Sequence, residues 1–299
     1  MIKLSEGFRL LNKLAILNWR TLQAYYERRS YRCNILNYEP QFPEAVFQRH
    51  EPVFVLSTGR CGTALLTQLL ARSPKALCYH SPSPELTGIE RQVHREGHVN
   101  FDCYLTAIAV ARFELIADSA LRGRRYVETN RHITFFAPHL RHLFPRARFI
   151  HLVRHPGAFV RSGIRRRYYQ GSYGDMGRIQ PYQGEAESAW PEMNAYERCA
   201  WLWNETNAFI ERIKSEAKCG SILTVKSENL FTDPETTIKI FEHCGFDCPE
   251  LGRVASWIKR KVNVQLEDTT VAPHGQWDDK LKESVRRWAP LAANYGYEL

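Results

Sequence analysis

The sequence predicts an α/β fold in which a central parallel β-sheet is flanked by helices on both faces. Two observations support this. Short apolar segments alternate with longer amphipathic segments from residue 53 to residue 244, as in successive strand–helix units. Two of the apolar segments, 53–56 and 148–154, also run into short polar turns that lead directly into helices. Such turns place polar groups at the carboxyl edge of a parallel sheet, where ligands bind.

The predicted elements follow one another in a regular order. Strands are predicted at 53–56, 76–80, 125–129, 148–154 and 221–225, and helices at 63–72, 102–121, 132–143, 156–168, 193–217, 233–244 and 277–297. Pro156 favours a helix start because proline fits the first helical position. The Gly-, Tyr- and Gln-rich stretch 171–192 is predicted to be a mobile loop or lid. Together with residues 81–101, this stretch is expected to shape a second ligand site.

Residues 1–50 are predicted to hold an amphipathic helix and a linker, followed by one domain at 51–299. Helix 3–30 is basic and could pack on the core, mediate a homodimer or rest on a membrane surface. Packing is the default, since proteins usually bury such a stripe. No apolar run approaches the ~20 residues that span a bilayer, and no signal-peptide pattern is present. We therefore expect a soluble, cytoplasmic protein without a transmembrane segment.

Cysteines and histidines give no metal-binding pattern. Eight cysteines without a C-x-x-C pair are expected to be reduced and mostly buried. Cys61 follows an arginine at a predicted helix start, so it could be a reactive thiolate or could simply fill a small-residue position. Glu90, His94 and His98 could share a helix face, but a solvated surface is preferred because no fourth ligand is evident.

Positive charge is concentrated in one region of the chain. The net charge is +9, yet residues 122–178 alone hold thirteen arginines and two acids. Such a field attracts an anionic ligand. The alternatives are a solvated arginine-rich face or a nucleic-acid-binding surface, which the basic and aromatic run 165–169 fits loosely.

Two strand–turn–helix motifs point to a doubly anionic ligand. The first, at 57–63, reads Ser-Thr-Gly-Arg-Cys-Gly-Thr and places backbone N–H groups at a helix N-terminus, which binds phosphate-like anions. It is not a Walker A loop, because Gly62 stands where that motif has lysine. In the second, Arg154 ends a strand and Ser162 follows eight residues later. A P-loop nucleotide or small-molecule kinase, the alternative enzyme, would have a Mg²⁺-binding Asp there.

Both motifs resemble those of the sulfotransferases that use 3′-phosphoadenosine 5′-phosphosulfate (PAPS). Segment 57–66 is similar to the family's 5′-phosphosulfate loop, and segment 144–162 is similar to its 3′-phosphate element. Segments 225–241 and 275–297 are similar to its late strand-and-helix and C-terminal elements. The resemblance implies a three-layer P-loop-like fold and metal-free, in-line transfer of a sulfuryl group to a hydroxyl or amine. It further implies a small-molecule, glycan or lipid acceptor, release of adenosine 3′,5′-bisphosphate (PAP), and no nucleic-acid partner.

The resemblance also implies roles for individual residues. Arg60 would hold the oxygens around the transferred group, and Arg154 with Ser162 would bind the 3′-phosphate. The full set of implied nucleotide-binding residues is Thr58, Gly59, Arg60, Cys61, Gly62, Thr63, Arg154, Ser162, Gly275, Gln276 and Trp277.

Three departures from the family pattern leave the general base open. Ser227 stands where the family often has tyrosine, and Glu128-Thr129-Asn130 stands where several members have a lysine. The sequence His80-Ser81-Pro82 replaces the His-Glu-Pro of members with an arginine in the first loop. The remaining candidates are His80, since a histidine titrates at about 6.5, and Glu85, which would need partial burial. Asn130 and His132 are lesser candidates for the acceptor pocket.

Overall fold

Five parallel strands form one sheet in the part of the chain described by the structure, a computed structural model that covers residues 49–259 and 271–299. These residues belong to one compact unit, Val46–Leu299. The strands are β1 (Val53–Leu56), β2 (Ala76–His80), β3 (Arg125–Thr129), β4 (Arg148–Val153) and β5 (Ile222–Lys226), in the order β2-β3-β1-β4-β5. The predicted α/β class is confirmed. The helix predicted at 3–30 lies outside the described residues.

Helices connect the strands and cover the sheet. They are α1 (Thr63–Leu70), α2 (Glu90–Glu96), α3 (Phe101–Leu121), α4 (Ala137–Leu143), α5 (Pro156–Arg165), α6 (Gly184–Ala189), α7 (Ala195–Glu216), α8 (Ser227–Thr232), α9 (Pro234–Cys244), α10 (Leu251–Ile258) and α11 (Asp279–Trp288). Short 3-10 segments lie at Arg131–Phe136, Tyr173–Asp175, His274–Gln276 and Pro290–Tyr295. No described helix is both long and apolar enough to cross a bilayer.

Strand β1 lies at the centre of the sheet and is buried on both faces. All four of its residues are 0 % exposed. Val53 and Val55 belong to a core cluster with leucines of α1 and with Ile240 of α9. Phe54 points to the other face, where its ring contacts those of Tyr126, Phe144 and Phe149 at centroid distances of 6.1, 5.9 and 5.8 Å. A strand that is apolar on both faces is the expected centre of a parallel sheet.

The order of strands brings three carboxyl ends side by side. Strand β1 pairs with β3 on one side and with β4 on the other. The chain moves from β1 to one half of the sheet and later crosses to the other half, so the connection reverses direction at β1. Ligands of open α/β sheets bind at such a switch point, outside the carboxyl ends of the strands.

One predicted helix is wrong at its start. The segment predicted as helix 132–143 is a 3-10 segment at Arg131–Phe136 followed by α4 from Ala137. Pro138 lies in the first turn of α4, where its missing N–H costs nothing, whereas it would interrupt a longer helix. The Asn130 side chain caps the 3-10 segment by accepting the N–H of His132 at 3.0 Å.

Candidate functional site

The turn after β1 is fastened to its neighbours by side-chain hydrogen bonds. The Ser57 N–H donates to the Thr134 hydroxyl, and that hydroxyl donates back to the Ser57 carbonyl, both at 3.1 Å. The Ser227 hydroxyl donates to the Cys61 carbonyl at 2.6 Å. Ser227 is 0 % exposed, so this position holds a buried serine that fixes the turn.

Two glycines allow the turn its shape. Gly59 and Gly62 have φ angles of 73° and 89°, in the left-handed region that favours glycine. A Cβ atom on Gly59 would lie 2.7 Å from Arg131 Cδ, and one on Gly62 would lie 2.7 Å from Phe231 Cζ. Neighbouring side chains therefore approach the backbone too closely for any other residue.

Helix α1 begins directly after this turn and lacks a side-chain cap. Gly62 occupies the N-cap position, and no side chain among the described residues accepts a hydrogen bond there. The first N–H groups of a helix have no partner within the helix, and the helix dipole adds positive potential. The turn and helix start, residues 57–63, are therefore suited to bind an anion.

Arg154 joins the second predicted motif to the first. It follows β4, and its Nη1 donates to the carbonyl oxygen of Arg60 at 2.7 Å. Trp203 of α7 fixes the Arg154 backbone by donating from Nε1 to its carbonyl at 2.8 Å. Arg60 in turn donates from Nε to the Ser162 hydroxyl on α5 at 3.1 Å. The structure thus brings Arg60, Arg154 and Ser162 together, although 102 residues separate the first from the last.

The electrostatics of this cluster favour a negative ligand. Partial burial lowers the pKa of the Arg60 guanidinium, and the positive charges of Arg166 and Arg154 lower it further, whereas Tyr168 acts in the opposite direction. Arginine remains protonated in proteins despite such shifts. Burial is the largest cause of the lowered pKa and the nearby like charges add to it, and a bound anion would offset both.

Cys61 does not have the surroundings of a reactive thiolate. It is 0 % exposed, and its sulfur lies 3.1 Å from the hydroxyl oxygen of Thr58. Burial raises the pKa of the Cys61 thiol to about 11, despite the nearby arginines. These observations favour the interpretation in which Cys61 fills a small, buried position in the turn.

The two candidate bases lie at different places near the carboxyl edge. His80 is the last residue of β2 and is exposed, and its Nδ1 lies 2.8 Å from the Thr129 hydroxyl. Glu85 is also exposed, and its carboxylate accepts only a long contact of 3.5 Å from the Thr87 hydroxyl among the described residues. Both side chains can therefore be reached by a ligand.

Glu128, one of the residues at which the sequence departs from the resembled pattern, occupies the interior. It is 0 % exposed and accepts two hydrogen bonds of 2.8 Å from Arg112. Tyr126 and Asn130 donate to the same carboxylate at 2.8 and 3.1 Å. The acid therefore has a paired structural position, and its contacts orient Asn130, which in turn caps the segment after β3.

Arg131 is a residue that sequence reasoning missed. It follows β3, packs against Gly59 of the turn, and donates from Nη1 to Glu90 at 3.0 Å. His132 also contacts Glu90, from Nδ1 at 2.6 Å. Burial alone would raise the pKa of Glu90, but Arg131 and His132 hold it below its usual range. An arginine after Asn130 at a predicted strand end was the available signal.

The Glu90, His94 and His98 set does not converge on one point. Glu90 is bound to Arg131 and His132, whereas His94 contacts Glu205 from Nε2 at 3.0 Å. Within 49–259 and 271–299 there is no group of three or more His, Cys, Asp or Glu side chains that could hold a metal ion.

The stretch predicted as a loop or lid at 171–192 contains short regular elements. These are the 3-10 segment Tyr173–Asp175 and helix α6. The Asp175 carboxylate accepts the N–H groups of Tyr169 and Ser172 at 2.9 and 2.8 Å. Arg178 lies over the Tyr168 ring at 3.3 Å and donates to Asp175 at 2.8 Å. Charge and ring contacts therefore fasten the first half of this stretch.

The C-terminal candidates lie against the start of α5. Gly275 and Gln276 are exposed, whereas Trp277 is 6 % exposed and donates from Nε1 to the Ala272 carbonyl at 3.1 Å. The neighbouring His274 stacks on His155 at 4.3 Å. This segment therefore borders the Arg154 end of the site.

Comparisons with known proteins agree with the fold. A sulfotransferase domain from the curacin biosynthetic pathway is similar in structure, with a TM-score of 0.51 and 16% identity over 84% of this chain and 99% of that chain. A sulfotransferase domain of the Synechococcus PCC 7002 olefin synthase gives a TM-score of 0.49 and 18% identity over 84% of this chain and 97% of that chain. Mouse sulfotransferase SULT7A1, complexed with PAP, gives a TM-score of 0.45 and 13% identity over 83% of this chain and 88% of that chain.

Sequence comparisons give the family. No curated protein matches the chain significantly. The model of the sulfotransferase family, however, matches residues 52–250, which include all five strands and both anion-binding motifs. The chain belongs to the sulfotransferase family.

Proposed function

We propose that this protein transfers the sulfuryl group of PAPS to a hydroxyl or amine of an acceptor and releases PAP. The observation that carries the proposal is the link between the two anion-binding motifs. Arg154 donates to the Arg60 carbonyl at 2.7 Å, and Arg60 donates to Ser162 at 3.1 Å. A ligand with anionic groups at both ends can therefore contact both motifs at once.

The first motif fits the 5′-phosphosulfate end of the donor. In the proposal, backbone N–H groups from Gly59 to Thr63 cradle the phosphate, and the Thr63 hydroxyl donates to it. The two left-handed glycines support this role because they carry no side chain into the turn, and the start of α1 supports it because it has no side-chain cap. Arg60 neutralises charge that spreads over the oxygens during transfer.

The second motif fits the 3′-phosphate. In the proposal, Arg154 and Ser162 bind this group through a charge-assisted hydrogen bond and a hydroxyl contact. The exposed Gly275 and Gln276 lie near the same end and contact the nucleotide, while Trp277 supports them from the interior. Arginine at the end of β4 supplies the charge neutralisation that a metal ion supplies in P-loop kinases.

The acceptor must lose a proton during transfer. His80 takes this proton as the acceptor oxygen bonds to sulfur and the bond from sulfur to the bridging oxygen breaks. The proton then resides on the imidazole, and the electron pair leaves with PAP. We favour His80 because one of its ring nitrogens is already held by Thr129, whereas Glu85 has only a long contact. Replacing each in turn, by His80→Gln and Glu85→Gln, distinguishes the two.

Two rival functions receive less support from the described residues. A P-loop kinase would need a Mg²⁺-binding carboxylate at the carboxyl end of β4, where this chain has Arg154. A nucleic-acid-binding surface would need solvent-facing arginines across 122–178. Exposed arginines are present at positions 122, 124, 146, 166 and 167, but Arg131 and Arg178 are turned inward and paired with Glu90 and Asp175.

Calorimetric titration with PAP in excess EDTA tests the proposal. Wild-type protein should bind the nucleotide without magnesium, and Arg154→Ala should weaken binding at least tenfold, since a hydrogen bond to a charged group contributes about 1.5–3 kcal/mol. Arg253→Ala is the matched control, because that arginine is 71% exposed and its ion pair within the described part of the chain is with exposed Glu250.

Other results would overturn the assignment. Binding of MgATP without binding of PAP would indicate the kinase. Binding of duplex DNA with a steep salt dependence, in the absence of nucleotide binding, would indicate the nucleic-acid function. Equal loss of affinity in Arg154→Ala and Arg253→Ala would remove the specific role of Arg154.

A further inference from the structure

A row of hydroxyl groups connects His80 to the start of α1. The Thr67 hydroxyl donates to the Thr63 carbonyl at 2.8 Å. Thr67 and Thr129 hydroxyl oxygens are 2.5 Å apart, and the Thr129 hydroxyl lies 2.8 Å from His80 Nδ1. The row therefore runs from the helix that follows the anion-binding turn to the candidate base.

The direction of each hydrogen bond follows from counting protons. Thr63 contributes a carbonyl oxygen, which can only accept, so the single proton of Thr67 is used there. The Thr67 oxygen must then accept from Thr129. The Thr129 oxygen, with its proton used, must accept from the Nδ1–H of His80. This is the one assignment that satisfies all three contacts.

Burial restricts the groups to which the Thr129 hydroxyl can donate its proton. Its side chain is 0 % exposed, so its hydroxyl proton goes to a protein group. The other nearby acceptor is the Tyr79 carbonyl at 3.5 Å, and donation to that carbonyl would also leave only the oxygen of Thr129 to face His80. Donation from Thr129 to Nδ1 instead would require Thr67 to donate to Thr129 and to give up its 2.8 Å hydrogen bond to the Thr63 carbonyl, so retention of all three contacts requires a proton on Nδ1.

We propose that Thr67 and Thr129 are positioning residues that hold His80 in its Nδ1–H tautomer, so that Nε2 carries the lone pair that accepts a proton. Among the described residues Nε2 of His80 has no hydrogen-bond partner, and the ring is exposed. His132 offers a contrast, since Glu90 and Thr87 contact both of its ring nitrogens. The inference deepens the proposed function and rests on it for the role of His80.

The row also links the base to the turn that binds the donor. Thr63 is the first residue of α1 and the last of the anion-binding motif. A displacement of the turn is therefore transmitted through two hydroxyls to the imidazole. The orientation of the base and the shape of the donor loop depend on the same hydrogen bonds.

Nitrogen NMR of uniformly ¹⁵N-labelled protein tests the tautomer directly. The spectrum is recorded at pH 8, and the shifts of the two ring nitrogens of a neutral imidazole report which one holds the proton. The His80 signals are assigned from their loss in His80→Gln. We expect protonated Nδ1 and bare Nε2 in the wild type. A wild-type spectrum with the proton on Nε2 would overturn the proposal, and this result does not depend on the folding of any threonine variant.

Variants then test which groups hold the tautomer. Thr129→Val removes the hydroxyl with little change in shape and should shift the population toward the Nε2–H form, whereas Thr129→Ser should keep the wild-type spectrum. Thr67→Val should act in the same direction. Thr106→Val is the matched control, because Thr106 makes the same bond to the carbonyl four residues earlier, at 2.8 Å, on an exposed face of α3. An unchanged His80 spectrum in folded Thr129→Val would refute the proposal.

Activity separates this inference from the proposed function. If both hold, Thr129→Val lowers kcat about tenfold, the size of one hydrogen bond, leaves KM for PAPS unchanged, and is rescued by Thr129→Ser. If the wild type shows the Nδ1–H tautomer but neither binds PAP nor transfers sulfate, the proposed function fails while the tautomer assignment stands. If PAPS is used but the tautomer is Nε2–H, the assignment alone fails.

Discussion

Breaking the Glu128–Arg112 ion pair from one side should destabilise the protein strongly. The two side chains are 0 % and 1 % exposed and share two hydrogen bonds of 2.8 Å. Glu128→Gln leaves the Arg112 charge buried without a counter-charge, which costs about 3–5 kcal/mol. The glutamine NH2 group, which cannot accept a hydrogen bond, would also face one of the Arg112 donors, so a lost hydrogen bond adds to the loss of charge.

Urea-induced unfolding followed by circular dichroism measures this loss. Thermal unfolding gives a second measurement: for a domain of this size each kcal/mol shifts the thermal midpoint by about 2–4 °C, so the midpoint of Glu128→Gln should be lower by roughly 6–20 °C. The matched control is Glu114→Gln, an exposed glutamate on α3, the helix that carries Arg112. For this variant we expect the free energy of unfolding to change by no more than about 0.5 kcal/mol.

A double variant tests the physical reason. Arg112→Met combined with Glu128→Gln removes both charges, so its cost should fall below the sum of the single costs by about 2 kcal/mol. Two results would refute the reasoning: a Glu128→Gln protein within about 0.5 kcal/mol of the wild type, or strictly additive costs in the double variant.

Three further predictions concern the turn and the core. Burial raises the pKa of the Cys61 thiol to about 11, so Cys61 should resist alkylation at pH 8 while exposed Cys219 reacts, as measured by mass spectrometry. Rapid labelling of Cys61 in the folded protein would contradict its burial. Gly62→Ala should abolish PAP binding because its Cβ would conflict with the Phe231 ring. The control Gly220→Ala, with a similar φ of 78° and no atom within 4 Å of the added Cβ, should only lower the free energy of unfolding by about 1–2 kcal/mol. Equal PAP binding by both variants would show that the close approach at Gly62 is unimportant. Burial lowers the pKa of His151 to about 4 from an unfolded value near 6.5, so as pH falls from 6.5 toward 4 the unfolded state binds a proton that the folded state does not, and the fold loses stability. Between pH 7 and pH 5, urea unfolding should show a decrease in the free energy of unfolding that is about 2 kcal/mol greater in the wild type than in His151→Gln. Equal decreases would show that other groups cause the acid sensitivity.

The strands and the shape of the turn at 57–63 could be predicted because their signals are local. Val53–Leu56 is a continuous apolar run, and the glycines at 59 and 62 mark a turn before a helix. The helix predicted at 156–168 instead ends at Arg165, since Arg167 and Tyr169 adopt positive φ angles of 56° and 58° that no pattern of residue types signalled.

The contacts around the site could not be predicted because they depend on strand order. Periodicity does not reveal that β3 lies beside β1, and only this pairing brings Arg131 against Gly59. The same holds for Thr129, whose hydroxyl meets Thr67 and His80 only because β2, β3 and α1 converge. Ser227 is a further case, because its hydrogen bond to the Cys61 carbonyl joins residues that are 166 positions apart in the sequence.

The turn after β1 combines hydrogen bonds within itself with hydrogen bonds to partners that are distant along the chain. Ser57 bonds to a residue 77 positions away, Arg60 to one 102 away and Cys61 to one 166 away. The complete set of these long-range bonds forms only after residue 227 has been synthesised and β5 has joined the sheet, so the turn is completed late in folding. A nucleotide that binds there should therefore raise the stability of the whole domain, by about 2.7 kcal/mol at a concentration one hundred times its Kd.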